Sequence, residues 1–556
     1  MSFFSKLDDF FALDESNTMK NKDLVPMPLF RRKWGMMAYI WYWGISAMCA
    51  VTWSGGSSLL SLGLNGNHAM GIVVVANVFI SIAAILNGYY GAKYHIGFSV
   101  FQRVIFGIRG SAFGVLIRSI LSVVWFASES WLGGLCVNVV LSSWSRSYLN
   151  WENTFPDSVP MTNQQLCGFV VYLAITVPFL AVRPEYLDYL LAAATFAIFF
   201  MGIGITSWAV HVNGGKYGSL MNSPIDLSSS EMAWAWIYGL SSWYSSLTAG
   251  IANQADFSRF NKSPKGSSWG IFLGTNLTGF IVPLFGIISA SALYEKYGVY
   301  YWMPNDICIK WLQDSYDAKS RAAAFFCGLS LVISQLGINC VGNCISGAMD
   351  ISSLCPRYIN IRRGSILVLL LSWPTQPWLF YNSDSIFLTV LSSFSVFVTP
   401  LIAIYVCDFY VIRRCQLKLS DCFLDSTDSI YWFDGGFNWR SFVSFLVGVA
   451  PGLPGLINAA NPSITIDSGA LHFFQGSFIF QFLITFAIHL ILNLIFKVNV
   501  GQGDEIDIYD TFKPNECARY NISPYRRNEG ADVSDFGREK DSTNPEKLVV
   551  VSSETE

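Results

Sequence analysis

The sequence predicts an all-helical integral membrane protein, on three observations. Of 556 residues, 52% are hydrophobic and only 13% charged, where soluble domains carry about 25% charged residues. Apolar runs of roughly 20 residues, long enough to cross a bilayer, recur along most of the chain. Aromatic residues make up 16%, and Trp and Tyr crowd near the ends of the runs, as in WYWG at 41–44 and KYGVYYWMP at 296–304, which fits interfacial belts.

Twelve candidate spans follow, near 35–62, 69–92, 110–142, 164–182, 185–211, 231–252, 268–293, 322–350, 363–381, 385–411, 440–461 and 473–497. Residues 1–34 precede them as a tail of mixed charge without the apolar core and cleavage site of a signal peptide, so the first span is expected to act as its own insertion signal. Residues 143–165 form a polar loop, and 499–556, acidic and polar, are expected to be a disordered tail. Lys540 and Lys547 in that tail are candidate acceptors for a ubiquitin ligase, against the plainer reading of a solvated tail.

Loop charge orients the chain. With the N-terminus cytosolic, the inside segments carry Arg31, Arg32 and Lys33, then Lys93, Arg103 and Arg109, then Arg259, Lys262 and Lys265, then Arg357, Arg362 and Arg363, then Arg413, Arg414 and Lys418. The outside loops at 62–69, 381–385 and 461–473 carry no Lys or Arg, while 294–321 breaks the trend with Lys296, Lys310, Lys319 and Arg321. The bias places both termini inside. The sequons at Asn261, Asn276 and Asn521 then fall in spans or inside, and no N-glycan is expected.

Three spans read poorly as plain helices: the first contains VTWSGGSS (51–58), the sixth ends in TAGIANQADFSRF (248–260), and the eighth contains SQLGINCVGNCISG (334–347). Freed backbone groups at membrane depth are tolerated only where protein or a wet cavity satisfies them. Spans one and six are five apart, the pattern of a transporter site built from broken helices.

The stretch 122–134, SVVWFASESWLGG, carries one ionisable residue, Glu129. A carboxylate there is costly and faces protein or a cavity. Trp125, four residues earlier, shares its helix face. The pair suits stacking of an aromatic ring with a cation or polar group held by Glu129, and the carboxyl group could also carry a proton; the alternative is a structural carboxyl satisfied by a neighbouring helix. Asn339 and Asn343 share a face of span eight and offer donors and acceptors to a heterocycle, or serve as interhelical glue. Trp243, Tyr244, Ser245, Ser246 and Thr248 on span six form a stacking wall or a packing stripe. Asp256 and Arg259, three apart at a span end, are read as an ion pair holding a gate closed, against a surface pair worth little.

The twelve cysteines lack paired CxxC spacing, and Cys340 and Cys344 have no matching pair nearby, so they read as core residues rather than metal ligands. No nucleophile elbow, phosphate loop or metalloprotease motif is present, and an enzyme is not expected. The net charge of −3 without a basic stripe argues against nucleic acid.

HIGFSVFQRVIFGIRGSAFG, NQADFSRF, SQLGINCVGN, CDFYVIRR and NWRSFVSFLVGVAPGLPG together resemble the nucleobase–cation symporter-1 family, over roughly residues 24–500. Stretches such as WLGGLCVNVVLSSW, YWMPNDI and RAAAFFCGLSLVISQ are most similar to its fungal thiamine and nicotinamide riboside transporters, beside relatives for uracil, uridine and allantoin. The resemblance implies two inverted five-helix repeats plus two C-terminal helices within 35–498, with spans one and six broken and substrate between spans one, three, six and eight. It places a span-three Trp on Trp125, a span-eight Asn on Asn343 and a span-six aromatic near Trp243. The sequence departs from it in two respects. Glu129 stands where nucleobase carriers have Gln, and Gly337 and Ile338 stand where sodium-coupled members carry hydroxyls. The first favours a cationic vitamin such as thiamine or nicotinamide riboside; the second favours proton coupling. The expected protein is a plasma-membrane, proton-coupled importer without a cofactor. The alternatives are a uracil-, uridine- or allantoin-type permease, a transporter-fold nutrient sensor, or a passive channel.

Overall fold

The computed structural model describes residues 11–13, 16–156, 158–381 and 384–524. Among them the chain is helical, with three isolated bridge pairs and no strand ladder. Nine helices are long and apolar enough to cross a bilayer, and a bent pair supplies a tenth crossing. That pair is α1 (Met36–Ala47) and α2 (Ala50–Ser58, continued to Leu62), meeting at 51°. Then come α3 (Gly66–Tyr94), α4 (Phe98–Phe106), α5 (Ser111–Trp144), α6 (Asn163–Thr176) and α7 (Asp188–Val212).

The two remaining expected spans are interrupted. The sixth is split into α8 (Ser229–Ser246), α9 (Thr248–Ala252) and α10 (Gln254–Ser258), with breaks at Leu247 and Asn253. The ninth is short. After α11 (Pro264–Thr278), α12 (Ile281–Tyr297), α13 (Ala318–Ile338) and α14 (Ser346–Leu354), helix α15 (Ile361–Leu371) gives way to 3-10 turns up to Tyr381. The chain closes with α16 (Asp384–Val406), α17 (Trp439–Val449), α18 (Leu453–Ala460), α19 (Ser477–Ile495) and α20 (Pro514–Tyr520).

Helix α5 packs on α6 and α13, α11 on α1 and α3, α12 on α2 and α7, and α16 on α8 and α19. Large apolar side chains such as Phe200, Phe326 and Leu494 point outward, as lipid-facing positions require.

The first span breaks at Met48–Cys49, not within 51–58, which is helical. The glycines there serve packing instead: a Cβ on Gly56 would lie 2.7 Å from Pro283 Cα, and one on Gly55 3.4 Å from the Trp243 ring. The true break is held by side chains. Cys49 N donates to Thr52 Oγ1 at 3.1 Å, the Thr52 hydroxyl lies 2.8 Å from the carbonyls of Ala47 and Cys49, and Ser334 of α13 donates to the Met48 carbonyl at 3.3 Å. The WYWG stretch is likewise no surface belt throughout. Tyr42 and Trp43 are buried, and Trp43 Nε1 donates to Gln254 at 2.8 Å across to α10.

One face gathers the described stretches nearest both ends of the chain, 16–34 and 499–524. Leu24, Val25 and Met27 are buried against it, Trp34 stacks on Phe257 at 5.7 Å, and Asp23 O accepts from Arg259 at 2.7 Å. The expectation of disorder from residue 499 is corrected for 499–524. Arg32 donates to the Thr511 carbonyl, Asp504 accepts from the Leu419 and Ser420 amides, and Phe512 and Cys517 are buried. The average polarity of the tail hid these few apolar anchors. Lys540 and Lys547 lie outside the described residues.

The N-terminal strap is fastened by a two-pronged pair, Arg31 Nε to Glu185 Oε1 at 2.8 Å and Nη2 to Oε2 at 3.2 Å. Burial would raise the Glu185 pKa, but Arg31 overrides it and holds the group below its usual 4.5. A depressed carboxyl pKa stabilises above the unfolded value and loses that contribution as pH falls through the folded one. The protection of residues 16–34 against hydrogen exchange, relative to the intrinsic rate at each pH, should therefore be high at neutral pH and fall below the ordinary glutamate range. Glu185→Gln should abolish this pH dependence.

Candidate substrate site and gate

The helix breaks meet in one place. A cavity of about 50 Å³ is lined by Tyr42, Ser46, Cys49 and Thr52 from the first break, Ser246, Leu247 and Gly250 from the sixth span, and Trp125, Glu129 and Asn343. That volume holds one or two waters at about 30 Å³ each. Binding pockets run to roughly 300 Å³ or more, so the cavity must widen to take a heterocycle.

Helix α5 presents Trp125 and Glu129 to the cavity from one face. Phe394 of α16 lies parallel on the Trp125 ring at 4.8 Å and braces it. The Trp125 Nε1–H is buried without a hydrogen-bond partner among the described residues, a loss of about 1–3 kcal/mol that a bound acceptor would recover. Glu129 Oε2 accepts from Gln335 Nε2 of α13 at 2.5 Å. That fixes the carboxylate and leaves its second oxygen to whatever fills the cavity.

Span eight departs from α-helix at the site. Residues Asn339–Ile345 form a π-helical turn between α13 and α14, a distortion frequent at functional sites. The two asparagines divide their work. Asn339 Nδ2 donates to Phe126 O at 3.2 Å and Ser130 Oγ at 2.9 Å, while its Oδ1 accepts from Asn343 Nδ2 at 3.0 Å. Asn343 lines the cavity and Asn339 holds it in place.

Trp243 is not brought to the cavity. Its Nε1–H donates to Asn77 at 3.0 Å and its ring packs over Gly55. The aromatic wall is Tyr42 instead, tilted on Phe257 at 4.5 Å. Sequence reading placed Tyr42 in an interfacial belt, whereas packing on Trp34 and Phe257 buries it.

The expected Asp256–Arg259 ion pair is also corrected. Asp256 Oδ2 meets Arg118 Nη2 of α5 at 3.4 Å, and its Oδ1 accepts from the Phe98 amide at the start of α4 at 2.8 Å. Arg118 also pairs with Asp350 of α14, donates to Ser346 Oγ at 2.9 Å and lies 4.7 Å above the Phe98 ring. Arg259 turns to backbone, donating to Asp256 O at 3.1 Å and Asp23 O at 2.7 Å. It follows the end of α10 and borders Gly97 together with Asp256, but the side-chain partner of Asp256 is Arg118. Arg118, Asp350 and Gln335 escaped notice, although the cost of burying charge in a membrane that singled out Glu129 applies equally to Arg118 and Asp350.

Residues 26–480 match the family described as permease for cytosine/purines, uracil, thiamine, allantoin. The chain belongs to that family. It is therefore a multi-pass membrane transporter of small nutrients and not an enzyme. This permease is 39% identical over 513 residues to a nicotinamide riboside transporter of Saccharomyces cerevisiae, covering 92% of this chain and 85% of that one. It is 37% identical over 514 residues to a thiamine transporter of the same yeast, covering 91% and 85%. To its allantoin permease it is 31% identical over 512 residues, covering 89% and 80%. A solved nucleobase-cation-symport-1 family transporter, in a closed conformation with bromovinylhydantoin bound, superposes with a TM-score of 0.70 at 16% identity, covering 90% of this chain and 99% of that one. That likeness shows the fold.

Removing one partner of a buried charge pair costs about 3–5 kcal/mol, because the other charge is stranded. Arg118→Gln should therefore destabilise the closed arrangement of the permease. A cysteine introduced at Gly250 should then react faster with a membrane-permeant thiol reagent than in the parent, measured by mass spectrometry.

Proposed function

We propose that this permease imports a small heterocyclic cation, of the class of thiamine or nicotinamide riboside, driven by protons across the plasma membrane with both termini in the cytosol. The observation that carries the reading is Glu129, a carboxylate fixed by Gln335 and set beside Trp125 in the cavity where the broken spans meet. A ring with a fixed positive charge finds there an aromatic surface and a counter-charge together. Asn343 supplies the hydrogen bond that orients the heterocycle, and Tyr42 a second aromatic wall.

The relatives that transport thiamine and nicotinamide riboside support this cargo. Proton rather than sodium coupling is supported by Gly337, which provides no hydroxyl; a Cβ there would meet Ala194 Cβ at 3.1 Å and Ile45 Cγ1 at 3.5 Å, an apolar niche. Release toward the terminal face requires Arg118 to let go of Asp256 or Asp350, since the three tie spans three, six and eight together beneath the cavity. Alternating access then amounts to rocking one helix bundle against the other.

Glu129→Gln replaces a charge-assisted contact with a neutral one, worth about 1.5–3 kcal/mol. Uptake efficiency for the cationic vitamin should fall by roughly ten- to a hundredfold, and any uptake of uracil or allantoin should change far less. Equal losses for charged and neutral cargo, or uptake blocked by uracil alone, would refute charge recognition. In a transporter-null yeast, a protonophore should abolish uptake and replacement of sodium should leave it unchanged. Ligand binding without accumulation would instead indicate a sensor.

A further inference from the structure

The first turns of the sixth span are held by two tryptophan–histidine contacts on opposite sides. In α8, Trp234 and Trp236 are two residues apart, about 200° around a helix. Trp236 leans on span two. A Cβ on Gly71 of α3 would come within 2.7 Å of Trp236 Cη2, and Trp236 Nε1–H donates to His68 Nδ1 at 2.8 Å. Trp234 leans the other way. Its ring stacks on His472 of the short helix Ser468–Gln475, with centroids 3.9 Å apart and planes inclined by 1°. Both imidazoles are partly exposed.

The two contacts respond oppositely to a proton. An indole N–H can only donate, so His68 must present a bare Nδ1. A protonated imidazole carries N–H on both nitrogens and has no acceptor for that donor. A histidine ring stacked on a tryptophan face keeps its contact when protonated and gains the attraction of a cation for the π face. Histidine is the side chain that ordinarily changes charge between about pH 5 and 8.

The charged groups around the two rings have other positions. Glu231 opens α8, Asp226 and Lys216 lie in the loop before it, Glu295 and Lys296 end α12, and Asp467 precedes the short helix. The Glu231 and Asp467 carboxylates accept from the Ser228 amide at 2.9 Å and the Gly469 amide at 2.8 Å. Among the described residues, none of these six makes a hydrogen bond or ion pair with either imidazole.

We propose that His68 is a proton-binding site on the outer face, and that its protonation frees the outer half of span six from span two while His472 retains it. The inner end of α8, Ser246 with Leu247 after it, lines the substrate cavity, so this proton governs access to the cavity from outside. The site is separate from Glu129. Its outer placement rests on the orientation proposed above.

The test is hydrogen exchange on the full-length permease in detergent, read as protection of residues 229–240 relative to the intrinsic rate at each pH. His472→Phe keeps the stack without a charge, and His68→Asn keeps an acceptor that does not titrate. On passing from about pH 7.5 to about pH 5, protection in His472→Phe should fall by roughly fivefold, the equivalent of one hydrogen bond. In His68→Asn it should not fall, and in the double variant it should stay level. Adding Trp236→Phe to His472→Phe removes the donor, and protection should then be low at both pH values. An equal fall in the double variant, or no fall in His472→Phe, would overturn the proposal. Both faces share one pH in detergent, so the result is independent of orientation and of what drives uptake. Protease accessibility of the N-terminus in sealed vesicles tests orientation separately, and a reversed chain would overturn the outer placement while leaving the proton site intact.

Discussion

A bilayer offers no water to an unpaired amide or carbonyl, so every place where this chain leaves a helix must be supplied from within. The structure meets that demand at three points that converge. Thr52 and Ser334 close the break after Ala47, Ser245 O takes the Thr248 hydroxyl at the sixth span, and a π turn carries span eight past Asn339. Thr52 both satisfies the first break and lines the cavity, and Leu247 and Asn343 line it from the other two interruptions. Site and scaffold are one solution to one constraint.

Charge in the interior is handled by a second rule, that a buried ion must be paired. Below the cavity, Arg118 takes both Asp256 and Asp350 and fastens spans three, six and eight to each other. Beside the cavity, Glu129 has only the Gln335 amide. The first arrangement has its cation supplied from within the protein. The second lacks a cationic partner among its hydrogen bonds, which is the physical basis for reading it as the place where a cation arrives. A comparable pairing away from the site, Asp408 with Arg413 at 2.5 Å, locks the end of span ten and shows the usual structural outcome.

The all-helical class and membrane residence were legible in the sequence because they depend on local quantities, the length of apolar runs and the spacing of aromatic residues; the transporter family was legible from motif resemblance, and the twelve expected spans stand against nine long helices and one bent pair among the described residues. The pair Trp125 and Glu129 was legible for the same reason, since helical periodicity alone puts them on one face. The convergence of Asn343 with them was expected from resemblance, and the division of labour with Asn339 was not.

What the sequence could not decide are contacts between residues far apart in the chain. Nothing near Trp243 says that Asn77 takes its indole N–H, 166 residues away, nor that Tyr42 replaces it at the cavity. Asp256 and Arg259 looked like partners because they are neighbours in sequence; the fold gave Asp256 to Arg118, 138 residues distant. The glycines at 55 and 56 looked like a break and proved to be close-packing surfaces. Periodicity determines which side chains share a face. Only the packing of one helix on another determines what that face meets.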